Sequence, residues 1–138
     1  MAGKLIIAAG LLGVSGVLLG AFGAHGLKEL FEVEPTKGEA FATAVDYHML
    51  HTVAVLVLGI AAGRGGEIFS RRCVKAAWTM VAGACLFCGS IYLWTFGGPK
   101  WLVHITPLGG LTFVAGWALV ALAGLGLTRR GESDKLTA

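Results

Sequence analysis

The sequence predicts an all-α integral membrane protein, a bundle of four transmembrane helices. Hydrophobic residues make up 56% of the 138-residue chain, and the mean hydropathy is +0.77. Charged residues make up 14%, against about 25% in soluble domains. They are also confined, because 92 residues lie in four stretches without any charge: 5–27, 47–63, 76–99 and 101–128. This pattern argues against a soluble domain, a disordered chain and a nucleic-acid-binding protein.

Each uncharged stretch predicts one helix, in chain order. A helix needs roughly 20 apolar residues to cross the hydrocarbon core once. The second stretch is shorter, but the five residues before Asp46 are uncharged, so a helix from near Phe41 crosses with Asp46 at the interface. We therefore predict one domain, 1–127, and a polar cytoplasmic tail, 128–138. Its spans are expected at about 5–25, 42–63, 76–97 and 106–127.

The basic residues predict the orientation of these spans. Four spans place both termini on one side, and short cytoplasmic segments retain Lys and Arg. One side carries eight basic residues, mostly in the loop 64–75 and the tail, whereas the other carries three basic and five acidic residues. We therefore predict cytoplasmic N and C termini. The first apolar run exceeds the usual signal-peptide core of about 7–15 residues, so we expect it to be retained as a span.

Small residues predict close helix packing, since glycines let helix backbones approach in lipid. In the first helix Gly16 and Gly20 form a GxxxG pair, and in the fourth Gly109, Gly116 and Ala123 repeat every seven residues. Whether these faces pack within the chain or against a second copy stays open. The predicted packing positions are Gly16, Gly20, Gly23, Gly89, Gly109 and Gly116.

The start of the fourth helix has a recognisable cap. Thr106 is expected to cap the first free N–H groups, and Pro107 then loses no helical hydrogen bond. The alternative is a kink inside a longer helix that begins at Trp101. Further along, Trp117 is expected to pack in the bundle, with its indole N–H bonded to a carbonyl group.

The four histidines form the sharpest polar pattern, because all fall at the predicted outer end of the spans. His48 and His51 open the second helix, where residues three and four apart share a broad face. The candidate polar site consists of His25, Asp46, Tyr47, His48 and His51. Such a set could bind a metal, relay protons or sense pH. It could equally cap helix ends and bond between helices, and without a third close ligand we predict neither a metal nor a cofactor.

Other chemical signals are weak. Cys85 and Cys88 form a C-x-x-C in the third helix, and no histidine is predicted at their depth, so we interpret them as packing residues. Asp46 is the acidic residue of the predicted spans, and it lies at a rim. Proton-coupled carriers generally need an acidic residue within the span, so the sequence disfavours this kind of transport. Catalytic-triad order, a phosphate-binding loop and H-E-x-x-H are absent from the sequence. We therefore expect no enzymatic activity.

Several ordered motifs carry a family resemblance. They are 20–27, Thr43-Ala44 with Tyr47-His48 and His51, 86–87 with 89–92, and 105–110 followed by Gly116-Trp117. Over about residues 3–127 the chain resembles the YgdD/YwdK-like small inner-membrane proteins, a domain-of-unknown-function family found in bacteria and with animal relatives. The resemblance implies a four-helix domain of the bacterial inner membrane and implies no reaction. His25, Tyr47 and His51 match the family pattern, whereas Cys85, Cys88 and His104 do not belong to it.

Three functions stay open from the sequence. We favour a non-enzymatic accessory or scaffold protein that binds membrane lipid or a membrane-protein partner, which includes a second copy of the chain. The second hypothesis is a small channel or transporter with an outer His/Tyr vestibule, which requires polar groups deeper in the spans. The third is a metal- or haem-binding membrane protein. A nucleic-acid partner is not expected.

Overall fold

The computed structural model describes the backbone of residues 1–136 and the side chains of residues 1–127. The predicted tail, 128–138, lies outside the residues whose side chains are described. Five α-helices and a short 3-10 helix follow one another in this part of the chain. They are α1 (Ala2–His25), α2 (Lys28–Val33), α3 (Pro35–Arg64), α4 (Glu67–Thr95), the 3-10 helix (Lys100–His104) and α5 (Thr106–Leu136).

Four of these segments are long and apolar enough to cross a membrane. They are α1, α3, α4 and the segment Lys100–Leu127, with hydropathies of 2.3, 1.5, 1.6 and 1.9. A helix satisfies its backbone N–H and C=O groups internally, which lipid cannot do for it. The predicted all-α architecture with four apolar helices is therefore confirmed.

The helices differ in length from the predicted spans. Helices α3 and α4 begin at Pro35 and Glu67, because polar residues continue a helix beyond the hydrocarbon that hydropathy detects. Helix α4 ends at Thr95, two residues before the predicted end. Gly97 has a φ of 95° and Gly98 N donates to Leu93 O over 2.9 Å, which closes the helix end.

The start of α5 corrects the predicted cap by one residue. Leu108 N and Gly109 N both donate to Ile105 O, so Thr106 is already the first helical residue. The Thr106 hydroxyl lies 2.8 Å from Ser90 Oγ and ties α5 to α4. Pro107 stands in the first turn, as expected. The separate 3-10 helix rules out one continuous helix from Trp101.

The helices pack with α3 and α4 at the centre and with α1 and α5 on the outside. Helix α1 packs on α3, α3 on α4, and α4 on α5, while α1 touches α4 slightly. Within the described residues α1 and α5 do not meet. The share of buried residues follows this order: it is 39% and 50% in the apolar windows of α3 and α4, but 17% and 22% in the two outer helices.

Glycines set the close approach of α1 to α3. A Cβ on Gly16 would lie 2.6 Å from Met49 Sδ, and one on Gly23 would lie 2.5 Å from the Phe41 ring. One on Gly20 would lie 3.4 Å from Val45. As residue numbers increase along α1, the contacted residue numbers decrease along α3. The two helices are therefore antiparallel, and a glycine of α1 lies at each of these contacts.

The small residues of α5 face α4, which answers the question left open by the sequence. A Cβ on Gly109 would fall on the Phe87 backbone, and one on Gly116 would lie 2.8 Å from Met80 Cγ. This face therefore packs within the chain. Gly89 is different, because a Cβ there would meet no atom within 4 Å. Within the described part of the chain Gly89 therefore makes no close helix contact of this kind.

Candidate functional site

A polar layer crosses the middle of the molecule, between two apolar clusters. On α3 one cluster includes Phe41 and the other Val55. His48 and His51 lie between them, near the midpoint of a 30-residue helix that begins at Pro35. The prediction that these histidines open the helix at its outer end is therefore wrong, since α3 begins well before the span that hydropathy indicates.

His51 is buried and bonded through both ring nitrogens. Its ring stacks on Phe113 of α5, with centroids 3.5 Å apart. The indole Nε1–H of Trp117 donates to His51 Nε2 over 3.2 Å. His51 Nδ1 lies 2.7 Å from the carbonyl oxygen of Tyr47, and because a carbonyl only accepts, Nδ1 carries the proton.

These two partners assign His51 to its neutral, Nδ1-protonated form. A metal ion or a proton could reach Nε2 only if the bond to Trp117 broke. The sequence predicts a carbonyl partner for this indole, and the structure gives it an imidazole instead. His51 is therefore arranged as an acceptor between helices.

His48 is also buried, but it faces α1 and α4. Its Nδ1 lies 3.3 Å from Tyr92 Oη and its Nε2 3.5 Å from Ser15 Oγ. The Ser15 hydroxyl lies 3.0 Å from the carbonyl oxygens of Leu11 and Leu12 and donates its proton there. Its oxygen therefore accepts from His48 Nε2–H, which leaves Nδ1 to accept from the Tyr92 hydroxyl.

The two histidines thus divide between different neighbours. His48 connects α3 to α1 and α4, and His51 connects α3 to α5. Every buried side-chain nitrogen or oxygen in the described part of the chain has a hydrogen-bond partner. This layer holds helices together and presents no free nucleophile or base.

The structure does not bring the five predicted site residues together. His25 is exposed at the end of α1, and Asp46 is exposed on α3. Tyr47 is 42% exposed and its ring stacks on Phe87, with centroids 4.8 Å apart. Its backbone carbonyl accepts a hydrogen bond from His51, and the two rings stack with centroids 5.8 Å apart. Within the described residues the five side chains therefore do not converge on one site, although Tyr47 and His51 contact each other.

The cysteines of α4 lie beside a histidine after all. Cys85, Cys88, His48 and Tyr92 help to line one cavity of about 140 Å³ between α1 and α4. The sequence did not predict this neighbourhood, because it does not give the register of α3 against α4. Over residues 1–127, no three His, Cys, Asp or Glu side chains lie close enough to hold a metal ion.

A larger groove separates the end of α1 from the start of α3. This α1–α3 groove has a volume of about 490 Å³. Gly20 and Gly23 form its α1 side, Phe31 of α2 lines one end, and Glu39 and Asp46 line its α3 side. A second cavity of about 270 Å³ lies between α3 and α5 and is lined by apolar side chains that include Leu50, Val57, Trp117 and Val120.

The sequence alone does not indicate several of the residues that contact the two histidines. Ser15, Tyr92 and Phe113 lie in the apolar spans, where their spacing does not single them out. A hydroxyl in an apolar span does indicate a buried bond, but only the helix order reveals its partner. Their contacts with His48 and His51 are therefore visible only in the tertiary structure.

Comparison with known proteins gives the family of the chain. Residues 19–110 match the family model described as protein of unknown function DUF423. A UPF0382 membrane protein of Haemophilus influenzae is 36% identical over 121 residues, which cover 88% of this chain and 93% of that protein. YwdK of Bacillus subtilis, also a UPF0382 membrane protein, is 37% identical over 105 residues, with coverages of 76% and 82%. The UPF0382 inner membrane protein YgdD of Escherichia coli K12 is 35% identical over 135 residues, with coverages of 95% and 96%. No solved structure matches the chain.

These matches confirm the resemblance drawn from the ordered motifs. The relatives are named membrane proteins, and the Escherichia coli relative is named an inner membrane protein. Together with the four apolar helices, this makes the chain a multi-pass protein of the bacterial inner membrane. The chain belongs to the DUF423 family, whose members are proteins of unknown function.

Proposed function

We propose that the chain is a non-enzymatic accessory membrane protein whose outer helices bind a second membrane component, a lipid or another protein. One observation carries this proposal: α1 and α5 lie on the outside of the bundle, do not contact each other within the described residues, and have only 17% and 22% of their apolar segments buried. Leu11 on α1 is 68% exposed and Leu111 on α5 is 66% exposed. These apolar faces are available to a partner, which includes a second copy of the chain.

The polar side chains support a binding role over catalysis or transport. The hydroxyls of Thr52 and Thr95, deep in α3 and near the end of α4, donate to backbone carbonyls four residues earlier. Such bonds occupy the hydroxyl within its own helix. The buried histidines are likewise bonded between helices. A continuous polar path, as a channel requires, finds no support in these contacts.

For the orientation, we propose that the termini are cytoplasmic and that α2 lies outside. The support is the retention of Lys and Arg in short cytoplasmic segments and the excess of basic residues near Arg64 and Lys75. The test is labelling of intact cells with a membrane-impermeant maleimide, in a background without native cysteines. Glu29→Cys on α2 should be labelled and Glu67→Cys on α4 should not. The reverse pattern would overturn the orientation.

The accessory role is tested by photo-crosslinking in native membranes. A photoreactive amino acid replaces Leu11 or Leu111, and Val33 on α2 serves as the control because it is 80% exposed but outside the apolar helices. We expect one recurrent lipid or protein adduct, identified by mass, at Leu11 or Leu111 and none at Val33. Absence of adducts at both positions, together with solute flux in proteoliposomes, would favour the transport hypothesis instead.

A further inference from the structure

The α1–α3 groove contains two carboxylates and no basic side chain. Glu39 and Asp46 both line it, and neither forms an ion pair within residues 1–127. Lys37, the nearest cation in sequence, is bonded to Glu34 at 3.0 Å and lies 5.7 Å from the centre of the Trp94 ring. The groove therefore presents negative charge that the chain itself does not neutralise.

The position of Asp46 leaves its carboxylate open to a cation from outside the chain. A span of roughly 20 residues counted back from Arg64 places the hydrocarbon edge near residue 44. Asp46 thus lies at the rim of the hydrocarbon, exposed on the surface of α3. A carboxylate at the membrane surface attracts cationic groups, and no basic side chain of residues 1–127 forms an ion pair with Asp46. A cation that reaches it must come from another molecule at the membrane surface.

The shape of the groove favours a lipid headgroup over a helix. Its volume of about 490 Å³ falls in the range of about 300–1,000 Å³ that small-molecule pockets occupy. At one end it is limited by Phe31 of α2, whose ring packs on Phe41 with centroids 5.5 Å apart. A transmembrane helix of a partner would have to continue past α2, whereas a lipid headgroup ends at this level.

We propose that the α1–α3 groove binds the headgroup of an aminophospholipid. Asp46 accepts hydrogen bonds from the primary ammonium group, and Glu39 adds a second negative charge toward the water. Gly20 and Ala42 leave room for the glycerol and the first methylene groups, and the acyl chains lie along the exposed surfaces of α1 and α3. This site rests on the proposed function, since it names the lipid class that one face of the accessory protein holds.

Native mass spectrometry with defined lipids tests this site. The full chain is mixed in detergent with equal amounts of phosphatidylethanolamine, phosphatidylglycerol and phosphatidylcholine of identical acyl chains. We expect the wild type to retain phosphatidylethanolamine at least about fivefold better than either other lipid, the upper end of what an exposed ion pair supplies. The double variant Asp46→Asn/Glu39→Gln should lose this preference. The control Glu29→Gln/Glu32→Gln removes two exposed carboxylates of α2 outside the groove and should keep it.

A steric pair of variants tests the groove without changing its charge. Ala42→Leu fills the groove from α3, whereas Ala21→Leu adds the same bulk to an exposed position of α1 that does not line it. We expect phosphatidylethanolamine retention to fall with Ala42→Leu and to persist with Ala21→Leu. Circular dichroism of each variant verifies that the helices are intact.

Two results would overturn the proposal. One is equal retention of the three lipids by the wild type, and the other is unchanged retention of phosphatidylethanolamine by Asp46→Asn/Glu39→Gln. Either result leaves the accessory role standing if photo-crosslinks at Leu11 or Leu111 persist. Loss of those crosslinks with a preserved headgroup preference would instead remove the partner-binding role of the outer helices.

Discussion

Trp117 and His51 are joined by a hydrogen bond between α5 and α3, the two helices that both pack along α4. The indole Nε1–H of Trp117 on α5 donates to His51 Nε2 on α3 over 3.2 Å. Phe113, also on α5, stacks on the same histidine ring with centroids 3.5 Å apart, and α4 packs along both helices. The hydrogen bond and the ring stack therefore tie α3 directly to α5.

Replacing Trp117 by Phe should destabilise the protein through loss of this bond. Interhelical hydrogen bonds in membrane proteins contribute about 0.6 kcal/mol on average and up to about 1.7 kcal/mol. We expect a loss of about 1 kcal/mol in the free energy of unfolding, measured by titration with dodecyl sulfate in mixed micelles. The matched control is Trp101→Phe, which changes a 59% exposed indole. Equal effects of the two variants would contradict the assignment.

Tyr92 should stabilise the molecule through its hydroxyl, because it donates to the buried Nδ1 of His48. Tyr92→Phe leaves that nitrogen unpaired, and we expect a cost of about 1 kcal/mol in unfolding free energy. Tyr47→Phe is the control, since the Tyr47 contacts in the structure involve its ring and backbone carbonyl. In a double-mutant cycle, Tyr92→Phe should couple to His48→Ala and Tyr47→Phe should not.

Glycine substitutions separate helix packing from helix propensity. Gly109→Ala places a Cβ on the Phe87 backbone, which must move, so we expect a loss of about 1–3 kcal/mol in unfolding free energy. Gly89→Ala adds a Cβ in open space and should be neutral or slightly stabilising. Both variants make the same chemical change in neighbouring helices. A comparable loss at Gly89 would show that propensity rather than contact governs both sites.

Cysteine crosslinking tests the order of the helices and the separation of α1 from α5. In a background without native cysteines, Gly13→Cys and Thr52→Cys should form a disulfide within one chain, since a Cβ on Gly13 lies 3.7 Å from Thr52 Cγ2. A pair on the outer helices, Val14→Cys with Ala118→Cys, should not link within a chain. Denaturing gels without reductant distinguish the two products. A disulfide between α1 and α5 within one chain would contradict the separation of these two helices.

The candidate site illustrates where prediction from sequence stops. Hydropathy predicts Asp46 near the membrane rim, and Asp46 is exposed on the surface of α3. The same pattern misplaced His48 and His51, since hydropathy marks where a span is apolar but not where its helix begins. Their partners were beyond reach as well, because Ser15, Tyr92 and Trp117 are distant in sequence and meet them only across helix interfaces.

By itself the sequence determined the class of the protein, its four apolar helices and its family. These properties follow from averages over about 20 residues and from ordered motifs, and both are local in the chain. The glycines of α1 and α5 likewise marked close contacts, because a missing side chain permits approach whichever helix arrives. Only the tertiary structure shows which helix packs against each glycine. It separated His48 from His51, turned the face of Gly109 and Gly116 onto α4 and opened the α1–α3 groove, because packing depends on the rotation and order of helices that no local pattern specifies.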